Sequence, residues 1–274
     1  MKRRAWIVLL SVGVLILLTY IPLLFVLFDS FKTSQAFVQN PFGLPWPLAL
    51  QNYLIAWHGI ARYLWNTVIV AALSLILGIP LAAASAYGFA KGRFWGKNVL
   101  FYLYIGLLMI PWTLTLIPLF VEVNTFGMYN SWLSLIVPYA AGSQPLNVFL
   151  FRTFFEGIPD ELYQSARIDG CSEFQILWRI VAPLSLPVFL TGSLLLSVSI
   201  WGDYLWPTIV LPNHNLYTAS AGFELFVQSF GITGARGLGP EFAAEVLTMV
   251  PIIVLISAGM RYFVSGITSG ALKA

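Results

Sequence analysis

Long apolar stretches separated by short groups of charged residues dominate the chain. Uncharged runs cover residues 5–28, 63–90, 98–121, 123–151 and 180–202, and a shorter sixth run covers residues 246–260. A membrane-spanning helix needs about 20 apolar residues because the hydrocarbon core is about 30 Å thick. The sixth run reaches that length if Glu245 occupies its first turn, where a carboxylate suits the positive end of the helix dipole. The pattern therefore predicts an all-α integral membrane protein with six transmembrane helices.

One further uncharged run, residues 204–223, has a different character. It contains the residues that favour turns, namely Pro207, Pro212, Asn213, His214 and Asn215. Prolines and asparagines in such a cluster mark loops rather than helix interiors. This run is predicted to be mainly an exposed loop.

The composition supports the membrane assignment. Of the 274 residues, 59% are hydrophobic and 9% are charged, and the mean hydropathy is +0.83. Soluble domains have about 25% charged residues. A soluble globular enzyme, a disordered protein and a secreted disulfide scaffold are therefore excluded, and the single cysteine, Cys171, allows no internal disulfide. We expect one transmembrane domain over residues 1–274, with its first span at about 5–28 and its core spans at about 63–263.

The first apolar run follows three basic residues, as a secretory signal peptide would. Its apolar stretch is longer than the usual 7–15 residues, and no small-residue cleavage site follows it. We therefore expect the first run to be a retained membrane anchor.

The distribution of lysine and arginine predicts the orientation. Basic residues are enriched in cytoplasmic loops. With both termini in the cytoplasm and six spans, 11 of the 14 basic residues lie on the inner side. These are Lys2, Arg3, Arg4, Lys91, Arg93, Lys97, Arg152, Arg167, Arg179, Arg261 and Lys273. The outer side then has Lys32, Arg62 and Arg236.

The longest inner loop, at about residues 156–183 between spans four and five, has the pattern of two short helices. Pro159 followed by two acidic residues is a helix-start signature. Gly170 is predicted to end the first helix, because glycine reaches positive φ at little cost. Ser172 and Gln175 fit a capping box for a second helix that runs from Glu173 to about residue 180.

One face of the first loop helix is predicted to be a contact surface. Leu162, Ser165, Ala166 and Asp169 share a face at helical spacing. Small side chains at the middle positions would let another protein come close. The alternative is an amphipathic helix that lies on the lipid headgroups.

This loop resembles a cytoplasmic motif of the permease subunits of binding-protein-dependent ATP-binding-cassette importers. The family motif is Glu-Ala-Ala, three residues, Gly, nine residues, then Ile-x-Leu-Pro. The chain has Gln-Ser-Ala at residues 164–166, then Gly170, and Ile-Val-Ala-Pro at residues 180–183. Gln164, Ser165 and Ala182 depart from the motif, and Gln164 removes a charge that the family uses at this joint.

Two more stretches are similar to the carbohydrate branch of that family, in particular to the smaller permease of maltose-type importers. Residues 201–207 read Trp-Gly-Asp-Tyr-Leu-Trp-Pro, close to the family's Trp-Asn-Asp-Phe-Leu-Trp-Pro. Residues 261–273 resemble the family's C-terminal tail. The resemblance implies a multi-pass permease subunit in the cytoplasmic (inner) membrane of a bacterium or archaeon, which forms half of a sugar pathway.

The resemblance also implies how such a subunit is driven. Its loop helix would be a coupling helix that docks in a cleft of a cytoplasmic ATPase dimer, which would use ATP and Mg. The residues implied for that contact are Glu161, Gln164, Ser165, Ala166, Asp169, Gly170, Ile180 and Pro183. A second, weaker contact is implied for Ser269, Gly270 and Lys273. The other implied partners are a second homologous permease, an extracytoplasmic substrate-binding protein and membrane lipid, with no nucleic acid.

The chain itself is not expected to be an enzyme or to bind a cofactor or metal. Residues 92–98 look like a phosphate-binding loop, but they have one spacer residue too few and Asn98 where Ser or Thr belongs. The two histidines, His58 and His214, are expected in solvated loops without metal partners. No catalytic residue is predicted, so ATP hydrolysis is expected in a separate subunit.

A carboxylate among aromatic residues marks a possible sugar pathway at the end of the fifth span. The residues are Trp201, Asp203, Tyr204 and Trp206. Aromatic rings stack on the C–H faces of sugars and a carboxylate accepts hydroxyl hydrogens. The alternative is an interfacial aromatic belt with Asp203 as a helix cap. Prolines at positions 80, 111, 118 and 138 either break helices around a pathway or are tolerated kinks.

Two other classes of function remain open from the residues alone. An ion-coupled secondary carrier would need ionisable residues in mid-span and an internal inverted repeat. An intramembrane enzyme acting on lipids would need acids or histidines clustered at one membrane face. The cytoplasmic acids of the loop do cluster, but helix starts and caps account for most of them. The sequence does not name the sugar.

Overall fold

The computed structural model describes the backbone of residues 2–230 and 237–271, and the side chains of residues 8–229 and 237–260. Every regular element in these ranges is helical. The first seven α-helices are α1 (Lys2–Asp29), α2 (Ser34–Gln39), α3 (Gln51–Lys91), α4 (Lys97–Gly106), α5 (Trp112–Thr125), α6 (Leu133–Gly142) and α7 (Gln144–Glu156). They are followed by α8 (Asp160–Ile168), α9 (Glu173–Ile176), α10 (Ala182–Leu184), α11 (Leu186–Gly202), α12 (Leu205–Val210), α13 (Ala219–Phe230) and α14 (Leu238–Ala271). The all-α class predicted from the sequence is confirmed.

Three helices are long and apolar enough to cross a membrane by themselves: α1, α3 and α14. Two further pairs are long and apolar enough only when their two parts are taken together. The first is α4 with α5, bent by 101°, and the second is α9–α10 with α11, bent by 81°. Helix α6 is apolar but shorter. The described helices therefore give three spans, or five if each bent pair counts as one, and the count of six stays a prediction.

The prolines of the spans behave differently from one another. Pro80, Pro118 and Pro138 lie inside continuous helices. The bend between α4 and α5 falls at Pro111, where the preceding Ile110 is extended with φ −81° and ψ 116°. Proline disfavours helical geometry in the residue before it and lacks an amide donor, so the helix ends there.

The internal contacts divide the chain into two compact units. The first unit contains residues 1–64 and 222–251, and the second contains residues 65–221 and 252–274. In the first unit, Lys32 is buried, with Nζ 2.6 Å from Asp29 Oδ1 and 2.6 Å from the carbonyl oxygen of Pro41. The Asn52 side chain donates to the carbonyls of Ser30 and Lys32, both at 2.8 Å. Lys32 is therefore a paired structural residue and not a solvated loop charge.

The core of the second unit lies where α3, α7 and α11 pack together. Helix α3 contributes Ala82, Ala83 and Ala86, which are all fully buried. Facing aromatic rings fill the space, with Phe151 and Phe189 centroids 4.7 Å apart. Small residues on one helix opposite rings on others allow the helices to approach closely, as in other membrane proteins. The loop after α7 packs directly on this core.

Residues 204–223 are not mainly an exposed loop, so that prediction is wrong. They form α12, a 3₁₀ turn at His214–Leu216 and the start of α13, and the longest exposed stretch is the tip at residues 212–215. The Asn66 side chain donates to the carbonyls of Asn215 and Tyr217 at 2.8 and 2.9 Å. Because apolar side chains such as Leu211 are fully buried, the segment packs in spite of its turn-forming residues.

Candidate functional site

The loop helix α8 begins and ends as its sequence predicts. Pro159 precedes it and two acidic residues occupy its first turn. At its end Gly170 has φ +81°, the Gly170 N–H donates to the Arg167 carbonyl at 3.1 Å, and the Cys171 N–H donates to the Ala166 carbonyl at 3.0 Å. This pair of bonds is a Schellman motif. The prediction that Gly170 ends the helix with a positive φ is confirmed.

The second loop helix also starts as predicted but continues in an unexpected geometry. Ser172 Oγ accepts from the Gln175 N–H at 3.3 Å, and Gln175 Oε1 accepts from the Ser172 N–H at 2.9 Å, which is the capping box. After α9 the chain is a π-helix over Leu177–Val181. A π-turn accommodates an extra residue within a helix, and it lies immediately before the Pro183 segment that leads to α11.

Of the four residues predicted for the contact face of α8, Leu162, Ser165 and Asp169 are exposed and Ala166 is buried. Tyr163 and Ala166 are 2% and 4% exposed and belong to the core of the second unit. Leu162 is 41% exposed and Ile168 is 86% exposed. The prediction that Ala166 faces a partner is wrong, because the large ring of Tyr163 sets the buried side and Ala166, three residues later, shares it. The small size of Ala166 serves packing within this chain.

The start of α8 is connected to the end of α3. Lys91 Nζ lies 2.7 Å from Asp160 Oδ1 and 4.2 Å from the centroid of the Tyr163 ring. The hydrogen bond and positive charge of Lys91 lower the pKa of Asp160 below its usual value. Burial, and then the neighbouring Asp160 charge, raise the pKa of Tyr163 to about 12. Lys91 therefore fixes the first turn of the loop helix.

A second connection joins α3 to both loop helices. The Tyr87 hydroxyl donates to Glu173 Oε2 at 2.5 Å. Arg167 Nε lies 2.8 Å from Glu173 Oε1, and its Nη2 lies 3.3 Å from Oε2. One carboxylate thus receives donors from the end of α3 and from α8. The loop is held by side chains as well as by its packing.

The remaining residues implied for ATPase contact are mostly accessible. Exposed positions are Glu161, Gln164, Ser165, Asp169, Gly170 and Pro183, while Ile180 is half-buried. Phe174, which the sequence analysis did not select, is 72% exposed. Ser269 and Gly270 belong to α14, but the Ser269 side chain lies outside the described residues, as does the whole of Lys273.

Lys97 has a structural role in the turn that resembles a phosphate loop. Its Nζ donates to the carbonyls of Ala90 and Gly92, both at 3.2 Å. These carbonyls lie at the end of α3, where free carbonyl groups attract a cation. The lysine therefore caps a helix.

The second unit contains a cavity of about 480 Å³ beside the segments where its helices break. It lies against the break before α5, the ends of α6 and α11, and the first turns of α7. Its polar wall residues are Tyr139, Ser143, Asn147, Ser199 and Asp203. Pro138, several leucines and Trp112 supply the apolar wall.

Of the four residues predicted for a sugar pathway, only Asp203 lines this cavity. Its Oδ2 accepts from the Tyr139 hydroxyl at 2.9 Å and its Oδ1 accepts from the Trp206 N–H at 3.2 Å, so Asp203 also caps α12. The ring of Trp206 is fully buried and donates to the Ser134 carbonyl at 2.9 Å. Trp201 is buried away from the cavity and Tyr204 is 54% exposed.

Sequence reasoning missed the other polar cavity residues, of which Tyr139 and Asn147 are the most deeply buried. Tyr139 is 8% exposed and Asn147 is 2% exposed, and both lie in the run expected to be the fourth span. The close packing of α7 on α11 depends on Gly192, since a Cβ atom there would lie 2.4 Å from Asn147 Oδ1. A polar residue inside an apolar run is a signal for function, and Asn147 could have been found that way.

The chain is similar to transport proteins over nearly its whole length. The arabinooligosaccharides transport system permease protein AraQ of Halalkalibacterium halodurans is 29% identical over 100% of both chains. The sulfoquinovosyl glycerol transport system permease protein SmoH of Agrobacterium fabrum is 31% identical, over 96% of this chain and 92% of the relative.

The fold has a solved counterpart as well. A chain in the crystal structure of a bacterial ABC transporter involved in the import of the acidic polysaccharide alginate superposes with a TM-score of 0.84 at 20% identity, over 96% of this chain and 97% of that one. Residues 75–269 match the family described as "Binding-protein-dependent transport system inner membrane component", and the chain belongs to that family.

Proposed function

We propose that the chain is a permease subunit of an ATP-driven importer for a sugar or an oligosaccharide. Family membership makes it a transporter component and not an enzyme. Relatives named for arabinooligosaccharides and for sulfoquinovosyl glycerol support a carbohydrate as the solute. The partners in this proposal are a second permease, an ATPase dimer that binds ATP and Mg, and an extracytoplasmic substrate-binding protein.

The attachment of α8 is the observation that carries this proposal. The helix is fixed to α3 through Lys91 and Tyr87, and its buried residues belong to the core that joins α3, α7 and α11. Its other side presents Leu162 and Ile168 next to exposed acids. A helix that is fixed to the membrane helices on one side and presents two large apolar side chains among polar ones on its free side suits a coupling element. ATP-driven closure of a partner would shift the membrane helices through it.

The proposed topology has six spans and both termini in the cytoplasm. In this arrangement α6 and α7 together, residues 133–156, form the fourth span, and the bent pairs form the third and the fifth. The loop at residues 156–183 then lies on the same side as Lys91 and Lys97. The excess of basic residues on that side supports this orientation.

The two alternative classes have less support. An ion-coupled carrier and a lipid-modifying enzyme would not need a loop helix fixed in this way, and the family is one of binding-protein-dependent transport components. The acids of the loop are used as caps and ion pairs, with Asp160 on Lys91 and Glu173 on Arg167.

The proposal is tested by the pair Ile168→Asp and Leu44→Asp in the complete importer. The two side chains are 86% and 85% exposed, but the proposal places Leu44 on the outer side. Ile168→Asp should insert normally and lose co-purification of the ATPase, while Leu44→Asp should retain it. The loss of one apolar contact is worth about 1.5–3 kcal/mol, or roughly tenfold to a hundredfold in affinity. Retention of the ATPase by Ile168→Asp would contradict docking at α8.

A further inference from the structure

The segment between α1 and α3 exposes many large apolar side chains. Phe42, Leu44 and Trp46 are 90%, 85% and 83% exposed. Residues 33–61 contain no Asp, Glu, Lys or Arg. We infer that residues 38–50, the apolar loop, lie in the membrane interface at the end of α1 and insert these side chains between phospholipids. The exposed apolar side chains of the loop are Val38, Phe42, Leu44, Trp46, Leu48 and Leu50.

The base of the apolar loop is closed by hydrogen bonds. The Ala49 N–H donates to the Phe31 carbonyl at 2.8 Å. The Asn52 side chain donates to the carbonyls of Ser30 and Lys32, both at 2.8 Å. The chain therefore leaves α1 and returns to the same end of α1 before α3 continues. A compact loop whose ends meet presents its tip as one surface.

An aromatic cluster fixes the depth of the loop. The centroid of the Phe42 ring lies 5.9 Å from that of Phe25 in α1, and the Phe37 ring of α2 lies 6.3 Å from Phe25. Phe25 and Phe37 both pack on Phe242 of α14, at 6.4 and 5.3 Å. Phe25 precedes Asp29, the last residue of α1, by about 6 Å along the helix axis. The loop therefore folds back beside the apolar last turns of α1.

The charges nearest to the loop are kept away from its surface. Asp29 and Lys32 are 1% and 3% exposed, and Lys32 Nζ lies 2.6 Å from Asp29 Oδ1. The same Nζ donates to the carbonyls of Pro41 at 2.6 Å and Asn40 at 3.4 Å. Lys32 therefore positions the backbone just before Phe42. Because charges in apolar surroundings are costly, their burial here permits the loop to enter the interface.

The backbone of the loop suits the interface and not the hydrocarbon core. Lipid-exposed irregular backbone does not occur within the hydrocarbon core, because its polar groups have no partners there. Three of residues 41–47 are prolines, which have no N–H to satisfy. The Gly43 N–H donates to the Asn40 carbonyl at 3.2 Å, and the Trp46 N–H donates to the Leu44 carbonyl at 2.9 Å. The boundary between headgroups and acyl chains, where tryptophan is enriched, fits this loop.

Phospholipid fits the surface better than a protein partner does. Large exposed apolar patches mark contacts with proteins or with membranes. Specific protein interfaces also have a polar rim with hydrogen bonds, whereas the side chains of residues 42–48 are all apolar. The loop is continuous with α1, whose most apolar stretch has no residue buried inside the chain. The proposed topology places this end of α1 in the outer leaflet, and the contact with lipid is independent of the solute and the ATPase.

The first experiment measures the accessibility of a spin label in the complete importer, reconstituted in vesicles of phosphatidylethanolamine and phosphatidylglycerol. Leu44→Cys in the loop and His214→Cys at an exposed tip are labelled in a Cys171→Ser background with cysteine-free partner subunits. Collisions are recorded with oxygen, which concentrates in lipid, and with an aqueous nickel chelate. Position 44 should collide with nickel about fivefold less than position 214, because polar solutes are excluded from apolar surroundings, and at least as often with oxygen.

The second experiment removes the rings that insert. In the Leu44→Cys protein, Phe42→Ser together with Trp46→Ser should raise the nickel collisions at position 44 to nearly the value at position 214. Each inserted ring should favour the membrane-bound loop about tenfold or more. Both rings are exposed within the chain, so their removal opens no cavity in the fold. Trp95→Ser removes a fully exposed ring outside the loop and should leave position 44 unchanged.

Three results would overturn the inference while leaving the proposed transport function intact. Nickel collisions at position 44 as frequent as those at position 214 would place the loop in water. Rare collisions with both nickel and oxygen would show that a protein surface covers the loop. Nickel collisions that are frequent in the importer alone and fall on addition of the substrate-binding protein would assign the surface to that protein.

Discussion

The hydroxyl of Tyr87 and the carboxylate of Glu173 are 2.5 Å apart, although 86 residues separate them in the chain. This hydrogen bond joins the end of the long helix α3 to the start of the second loop helix. Arg167 binds the same carboxylate from α8. The loop is therefore connected to α3 by side chains and to α11 by the chain itself.

Tyr87→Phe is expected to loosen the coupling of transport to ATP hydrolysis. It removes one hydrogen bond to a charged group, worth about 1.5 kcal/mol or somewhat more. Sugar uptake per ATP hydrolysed by the reconstituted importer should fall roughly fivefold or more, while insertion and subunit composition stay the same. Tyr102→Phe, at a position 72% exposed, is the control. An unchanged ratio in Tyr87→Phe would mean that the bond carries no displacement.

Gly170→Val should misdirect the second loop helix. Gly170 has φ +81°, and a residue with a side chain pays about 1–2 kcal/mol in that region, more if β-branched. Gly170→Asn should be tolerated much better, because asparagine visits this region readily. The measurement is sugar uptake together with ATPase co-purification. Equal activity of the valine and asparagine variants would contradict a role for the backbone angle.

Ala166→Asp is expected to disrupt the packing of the loop on the membrane helices, and not only to change the outer surface of the loop. Ala166 is 4% exposed, so the new carboxylate would be buried without a partner. Such a change typically costs several kcal/mol. Amide hydrogen exchange of residues 160–181 should rise strongly in this variant and remain near wild type in Ser165→Asp, whose side chain is exposed. Similar exchange in both variants would contradict the burial of Ala166.

The ion pair of Lys91 and Asp160 predicts a pH dependence with a definite sign. Because Lys91 lowers the pKa of Asp160 in the folded loop, the stabilisation is present above the unfolded-state pKa and is lost as the pH falls through the folded-state pKa. Asp160→Asn should therefore increase exchange of the first turn of α8 at neutral pH. The difference from wild type, corrected for intrinsic rates, should shrink as the pH falls below the usual pKa of an aspartate and vanish only below the lowered pKa of Asp160 in the folded loop. A difference that persists there would exclude the ion pair as its cause.

Cysteine labelling tests the orientation of the chain. In a Cys171→Ser background, His214→Cys should react with an impermeant maleimide from outside the cell, and Arg93→Cys only after the membrane is permeabilised. Both side chains are exposed. Reaction of Arg93→Cys from outside would reverse the topology.

The local features of the loop could be predicted from sequence because each depends on neighbouring residues. Two of these features act through the backbone within a few positions: the positive φ of Gly170 and the capping box of Ser172 and Gln175. Both are present in the structure as predicted. The buried side of α8 could not be predicted in the same way. Helical spacing grouped Ala166 with three residues that are exposed, whereas contact of Tyr163 with distant helices places Ala166 on the buried side.

The residues of the cavity show the same limit. Asp203 was selected from its aromatic neighbours in sequence, but its partner Tyr139 lies 64 residues earlier. Trp206 is a conspicuous residue in the sequence, yet its indole N–H donates a buried hydrogen bond to the Ser134 carbonyl. Aromatic residues near a carboxylate indicate a site only where the packing of the helices leaves a space between them.

The Asn66 side chain holds two carbonyl groups of the segment after α12. This restraint also bears on the conformational entropy that the exposed tip, residues 212–215, would lose on binding a partner. Unrestrained loops lose conformational freedom when a partner binds, at about 1–2 kcal/mol for each residue that becomes ordered. Here the carbonyls of Asn215 and Tyr217 are already held in place from α3. Ordering of the C-terminal end of this tip is therefore completed when the chain folds, and binding there would lose less conformational entropy than binding at an unrestrained loop.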